Sequence, residues 1–261
     1  MEHHETTLAA YVERVRAQAD ALGVVLTGSV ARGTERAGSD VDVVLVVTDE
    51  AFDAAWAENR ISYAERVDAT YSGGYVDIKL AGPALLRAAV LRADDPMRAS
   101  FCGARVVWTR MADLAEVVTE IAALPEEVWD QRAGAMMAQV RLHAGYFLPQ
   151  AVELGSTHLL HHAAVHAVAA GGRALLALNR TLFQGHKYLE GMLAGLQRIP
   201  DGYSAVAREL LETPSLQAAG TYLQLLESFH EWSVSREASL SAFVRDNELA
   251  WYSGTLPPEY A

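Results

Sequence analysis

The sequence predicts an α/β (α+β) module around a small mixed sheet, followed by an all-α helical bundle. Short β-branched apolar runs alternate with helix-patterned segments over about the first 110 residues. From about Met111 onward such runs stop, and Leu- and Ala-rich segments with apolar residues three and four apart take over. With 261 residues, 51% of them apolar and 21% charged, the chain can build two ordinary cores. The expected domains are 1–112 and 113–261.

In chain order, residues 6–22 carry helical periodicity and "GVVLT" (23–27) reads as a short strand. Val41–Thr48 is a second strand, with five valines and a leucine before its last residue but one acid inside it. A helix is expected near Glu50–Asn59, then a third strand in "YVDIKLAG" (75–82), a helix in "PALLRAAVLRA" and a fourth strand in "ARVVW" (104–108). In the second half, "LP" at 124–125, "LG" at 154–155, "GG" at 171–172, "IPDG" at 199–202 and "TPS" at 213–215 punctuate the helices. Pro125 followed by Glu126 and Glu127 suits a first helical turn. Trp129, Tyr146 and Phe147 fall at helical positions and read as core in preference to base-stacking residues.

The acids in the strands need a reason, because burying an unpaired carboxylate is costly. Side chains alternate along a strand, so Asp40 and Asp42 share a face, with Cα atoms about 6.6 Å apart. Val41 and Val43 then enter the opposite, apolar face. The third strand repeats the pattern, with Asp77 between Val76 and Ile78. Adjacent carboxylates resist joint ionisation, and a divalent cation relieves that conflict. Mg²⁺ takes oxygen ligands, one or two of them carboxylates, and completes its shell with waters and phosphates. Asp40, Asp42 and Asp77 are therefore the candidate metal ligands and catalytic residues. Upstream, Gly28 lets the chain turn tightly and a ligand approach closely. Ser29 adds a hydroxyl donor, and free N–H groups would face a phosphate there.

Gly28-Ser29, ten intervening residues, Asp40-Val41-Asp42 and a later strand Asp77 together resemble the nucleotidyltransferase superfamily that includes DNA polymerase beta. The wording "GSVARGTERAGSDVDVVLVV" is most similar to bacterial small nucleotidyltransferases, among them aminoglycoside adenylyltransferases and minimal antitoxins. The likeness covers residues 24–82, under a quarter of the chain. A looser one joins "LNRTLFQGHKYLEGML" (178–193) to helical domains appended to some such enzymes.

The resemblance implies a nucleotidyltransferase domain with a helical partner domain. It also implies transfer of a nucleoside monophosphate, AMP from ATP or another NTP, to a hydroxyl with release of pyrophosphate. Two Mg²⁺ ions would be held by Asp40, Asp42 and Asp77, and Asp77 is either the acceptor's general base or purely a ligand. Gly28, Ser29, Arg32 and Lys187 are the candidate nucleotide contacts. Arg32 reads equally as an ion-pair partner for the acids, Lys187 as a surface lysine and Lys79 as a charge partner or a phosphate contact. Arg36 reads as a solvated loop residue and Arg180 as a weaker candidate than Lys187.

His158, His162 and His166 recur every four residues, with His161 beside them, so three of them share a helix face. Metal binding, acceptor-pocket lining and a polar or packed helix face are all open for them. Lys+Arg 21 against Asp+Glu 33 gives a net charge of −12, which argues against a polyanion surface and suits a cationic acceptor. An aminoglycoside-like antibiotic is the best-motivated small-molecule acceptor. A protein-adenylylating antitoxin-type enzyme and a non-catalytic nucleotide-binding regulator are the competing readings. No apolar run approaches the length of a membrane span. The single cysteine, Cys102, leaves neither an internal disulfide nor a thiolate zinc site. The cytoplasm is the expected compartment.

Overall fold

The computed structural model describes residues 1–258. The chain forms two compact units, Met1–Leu124 and Pro125–Ala261, so the division falls about a dozen residues beyond 112/113. The intervening helix α6 (Leu114–Ala122) explains the difference: Leu114, Val117, Val118 and Ile121 form one apolar stripe, and it is buried in the core of the first unit.

The first unit also contains α1 (Glu2–Val15), β1 (Ala21–Leu26), α2 (Gly28–Arg32), β2 (Val41–Val47), α3 (Asp49–Ala57) and β3 (Ser62–Glu65). It continues with β4 (Val76–Ala81), α4 (Pro83–Arg92), α5 (Asp95–Ser100) and β5 (Arg105–Thr109). The sheet order is β3-β4-β2-β1-β5. β2 and β4 are parallel, and the other neighbours are antiparallel. The expected helix over 6–22 stops at Val15, because residues from Ala21 are drawn into the sheet edge-on to β2 and β5.

Strand β3 has no counterpart in the sequence reading. It is an edge strand of sequence "SYAE", exposed over most of its length, so burial imposes no apolar pattern on it. Strands β1 and β2 are central and covered on both faces, which accounts for their nearly unbroken apolar runs. Val41, Val43, Leu45 and Val47 pack with Leu8, Tyr11 and Val15 of α1. Val44 and Val46 pack on the other side with Leu86 and the apolar stripe of α6. Asp42 belongs to this second face and lies near the start of the strand.

Arg98 is a charged residue buried in the first unit, at 4% exposure. Its guanidinium donates to the carbonyls of Val90, Ala93, Ile121 and Ala123, closing the C-terminal ends of α4 and α6. Arg98→Met leaves these buried acceptors without donors. It is expected to destabilise the chain by about 3 kcal/mol, measured by urea unfolding; a loss below about 0.5 kcal/mol would contradict this account.

The second unit is helical, as expected. It comprises α7 (Glu126–Leu142), a π-helical turn (His143–Phe147), α8 (Leu148–Glu153), α9 (Thr157–Leu178), a 3₁₀ turn (His186–Tyr188) and α10 (Leu189–Ala194). It ends with α11 (Tyr203–Glu212), α12 (Leu216–Phe229), α13 (Ser239–Phe243), a second π-turn (Val244–Glu248) and α14 (Ala250–Ser253). Small residues along α9 allow close approach: a Cβ on Gly171 would sit 2.0 Å from the Tyr222 hydroxyl. That hydroxyl shares a 2.9 Å hydrogen bond with Tyr203 in the core. Trp129 is buried there, whereas Tyr146 is half exposed, so Tyr146 is not the core residue its spacing suggested. Among the described residues no helix is long and apolar enough to cross a membrane.

Candidate active site

Asp42 and Asp77 are direct partners in the parallel register of β2 and β4. Neighbouring residues in register project to the same face of a sheet, so two acids are held side by side by the backbone ladder. Asp40 lies just before β2, and one carboxylate oxygen from each of the three residues falls within 4.8 Å of the others. Among the described residues this is the one group of three or more His, Cys, Asp or Glu side chains close enough to hold a metal ion.

The electrostatics expose the cost of that arrangement. Burial pushes the Asp42 carboxyl up to about 6, and the charges of Asp40 and Asp77 push the same way. Lys79 and Arg32 oppose the shift, so both sequence-predicted cations lie within electrostatic reach of the acids. Three hard oxygen donors, one of them strained toward its neutral form by like charge, fit a divalent cation well.

A pH dependence follows. Without metal, folding raises the Asp42 pKa from 3.8 to about 6, so the folded chain holds more protons than the unfolded chain between those values. The contribution of this group to stability therefore falls as pH rises through that window. Divalent ions compete with the proton, and their binding should strengthen over the same range. A ¹³C titration of the Asp42 carboxyl is expected to show a midpoint near 6, moved down by Mg²⁺. A midpoint near 3.8 with no response to Mg²⁺ would contradict the clustered geometry.

The glycine-serine turn sits against this cluster. Thr27, between β1 and α2, donates its backbone N–H to the Asp42 carbonyl at 2.9 Å. Gly28 opens α2 with φ 68°. A Cβ there would lie 1.9 Å from Asp42 Oδ2, so only glycine lets the turn pass the carboxylate. Ser29 follows, half-buried, in the first turn of α2. Arg32 is exposed at the end of that helix and passes beside Gly103, whose Cβ would meet Arg32 Cγ at 3.1 Å.

The segment between α2 and β2 is tied down by residues the sequence reading missed. His3 Nε2 donates to the Ala37 carbonyl at 3.1 Å and His4 Nε2 to the Ser39 carbonyl at 3.0 Å. The Tyr71 hydroxyl donates to the same Ser39 carbonyl, one residue before Asp40. The Asp40 carboxylate, close to the Tyr75 hydroxyl, holds that phenol above its ordinary range. Sequence spacings of more than 30 residues separate these partners of the loop, so no local pattern could have revealed them.

Other candidates belong to the second unit. Lys187 belongs to the 3₁₀ turn of the second unit, exposed, with Nζ 5.3 Å from the centre of the Tyr188 ring. Arg180, at φ 53°, pairs with Glu126. His158, His162 and His166 form a ring ladder on α9, with centroids 6.0 Å and then 4.1 Å apart. His143 stacks on His166 at 5.0 Å.

Residues 8–80 match the family model described as "Nucleotidyltransferase domain". This stretch of the first unit is similar to a nucleotidyltransferase domain. The match spans Gly28, Ser29, Arg32 and all three clustered aspartates, and it supports nucleotidyltransferase as the enzyme class. No curated protein matches the chain. A solved structure similar to this one is a nucleotidyltransferase-like protein from Exiguobacterium sibiricum 255-15. It shares 12% identity, with 96% of this chain and 79% of that one covered, and a TM-score of 0.47. Within the matched residues, Asp40, Asp42 and Asp77 are the side chains that could hold a metal ion, and the glycine-serine turn lies beside Asp42.

Proposed function

We propose that the chain transfers AMP from ATP to a hydroxyl of a small molecule, with Asp40, Asp42 and Asp77 holding two Mg²⁺ ions. The observation that carries this reading is the convergence of three carboxylate oxygens within 4.8 Å of one another, beside a turn that admits only glycine. Bound there, the metal would neutralise phosphate charge and acidify the acceptor hydroxyl.

The residues divide the remaining work. Ser29 and the backbone N–H groups of the turn bind triphosphate oxygens, and Arg32 offsets their charge. Asp77 accepts the acceptor's proton as its oxygen bonds to the α-phosphorus. The bond from that phosphorus to the α–β bridging oxygen breaks, and pyrophosphate leaves with the electron pair. Tyr75 and the His4–Tyr71 grip on Ser39 hold Asp40 in place. Lys79 balances the charge of the cluster.

The net charge of −12 supports a cationic acceptor, and an aminoglycoside-like antibiotic is the class we propose. Incubation of the full chain with ATP, Mg²⁺ and an aminoglycoside panel should release pyrophosphate and yield an acceptor carrying AMP. Label transferred to a co-expressed protein instead would favour the antitoxin-type reading. ATP binding with no product from any acceptor would overturn turnover altogether.

A further inference from the structure

Two adjoining cavities lie within the second unit. One, of about 230 Å³, is lined by Met136, Gln139, His143, Ala170 and Arg173 among others. The other, of about 510 Å³, combines an apolar wall that includes Leu189, Leu193, Tyr203 and Ala207 with the polar side chains of Glu190, Ser204, Arg208 and Glu212. Val165, Ala169 and His186 border both. Together they offer the size and mixed lining of a small-molecule pocket.

Gln139 is the anomaly. It is 2% exposed, and neither its amide nitrogen nor its amide oxygen has a hydrogen-bond partner among the described residues. A buried amide left unpaired is destabilising, and apolar residues of the same shape would serve packing better. Directly after α7, the chain widens into the π-turn His143–Phe147. Pro149 lies just beyond, lacks an N–H and would crowd the carbonyl four residues back, which favours the wider turn. Such turns concentrate at functional sites, and this one places His143 in the wall of the same cavity.

The partner that Gln139 requires can be deduced from its chemistry. Its NH₂ needs an acceptor and its carbonyl needs a donor, side by side. At the amide itself a carboxylate would satisfy the first and repel the second, and an ammonium would do the reverse; Arg173, in the same wall, is engaged by the Pro258 carbonyl. A neutral carboxamide or lactam edge satisfies both once the side chain turns toward the cavity, since both amide atoms are closed to solvent where they lie. Met136, Val165, Ala169 and Ala170 supply apolar surface around it, and Leu189, Leu193 and Ala207 continue that surface along one wall of the larger cavity. Burial, with the neighbouring His166 and His162, pushes His143 down to about 3, so this wall adds a neutral ring.

We infer that the helical unit holds a second small-molecule site, which takes an apolar ring system bearing a carboxamide or lactam edge against Gln139. This site is independent of nucleotidyl transfer, and its test omits nucleotide and metal. The full chain is titrated by calorimetry with naphthalene-2-carboxamide, naphthalene-2-carboxylate and 2-naphthylmethylammonium. The carboxamide is expected to bind at least ten-fold more tightly than either ion.

Gln139→Leu should retain or raise the melting temperature and lose at least ten-fold in carboxamide affinity. Ala169→Leu, which leaves the amide in place but narrows the junction of the cavities, should weaken binding as well and covers the case in which the first variant fails to fold. No carboxamide binding to the wild type would mean that water alone occupies the cavity and would overturn the inference. So would equal affinity for the carboxylate, or unchanged affinity in folded Gln139→Leu or Ala169→Leu.

Discussion

Asp42→Asn is expected to reduce nucleotidyl transfer by about 10³-fold or more, while the melting temperature of the metal-free chain rises. The two effects have one cause. Asp42 is the member of the triad whose charged form is most opposed, by burial and by Asp40 and Asp77. Replacing it with a neutral isostere relieves that repulsion at neutral pH and also removes a ligand from the cluster. Asp77 faces it across the strand pair, so Asp77→Asn should show a similar loss of transfer. Turnover is checked by pyrophosphate release and stability by calorimetry. An Asp42→Asn chain with full activity would remove this carboxylate from the reaction.

Gly28→Ala carries the second largest expected effect, a fall in turnover of about 10²-fold. Two penalties meet at this position. The backbone is left-handed, at φ 68°, which costs an alanine about 1 kcal/mol. The new methyl would also occupy space 1.9 Å from Asp42 Oδ2, so the carboxylate must swing away or the turn must shift. Gly33 separates these causes. It shares φ 68° but has nothing within 4 Å of an added Cβ. Gly33→Ala should therefore lose a similar amount of stability and keep most of its activity. Equal activity losses in both variants would assign the effect to backbone strain and not to intrusion on the acid.

The site was more legible in the sequence than the frame that holds it. Asp40, Asp42 and Asp77 break an otherwise apolar strand pattern, and such breaks are visible because burial makes them expensive. Gly28 was legible as a tight turn open to a ligand, whereas its contact with the Asp42 carboxylate was not. The parallel pairing of β2 with β4, which sets Asp42 against Asp77, was not written locally. Neither was β3, whose exposed residues carry no apolar alternation. The His4 and Tyr71 anchors on Ser39 depend on contacts between distant segments. The place of α6 in the first unit became clear only once its apolar stripe met α4 and the sheet.

Gln139 illustrates the opposite failure. At the sequence level it is an ordinary helical glutamine, and nothing in its neighbours suggests that it is buried. Its significance comes from the helix packing that removes it from water without giving it a partner.

The most direct test of the central claim is calorimetric titration of the full chain with a non-hydrolysable ATP analogue, with and without Mg²⁺. The account predicts tight uptake only with Mg²⁺, and loss of that dependence in Asp40→Asn and Asp77→Asn chains that remain folded. Uptake that is indifferent to Mg²⁺, or unchanged in both variants, would contradict it.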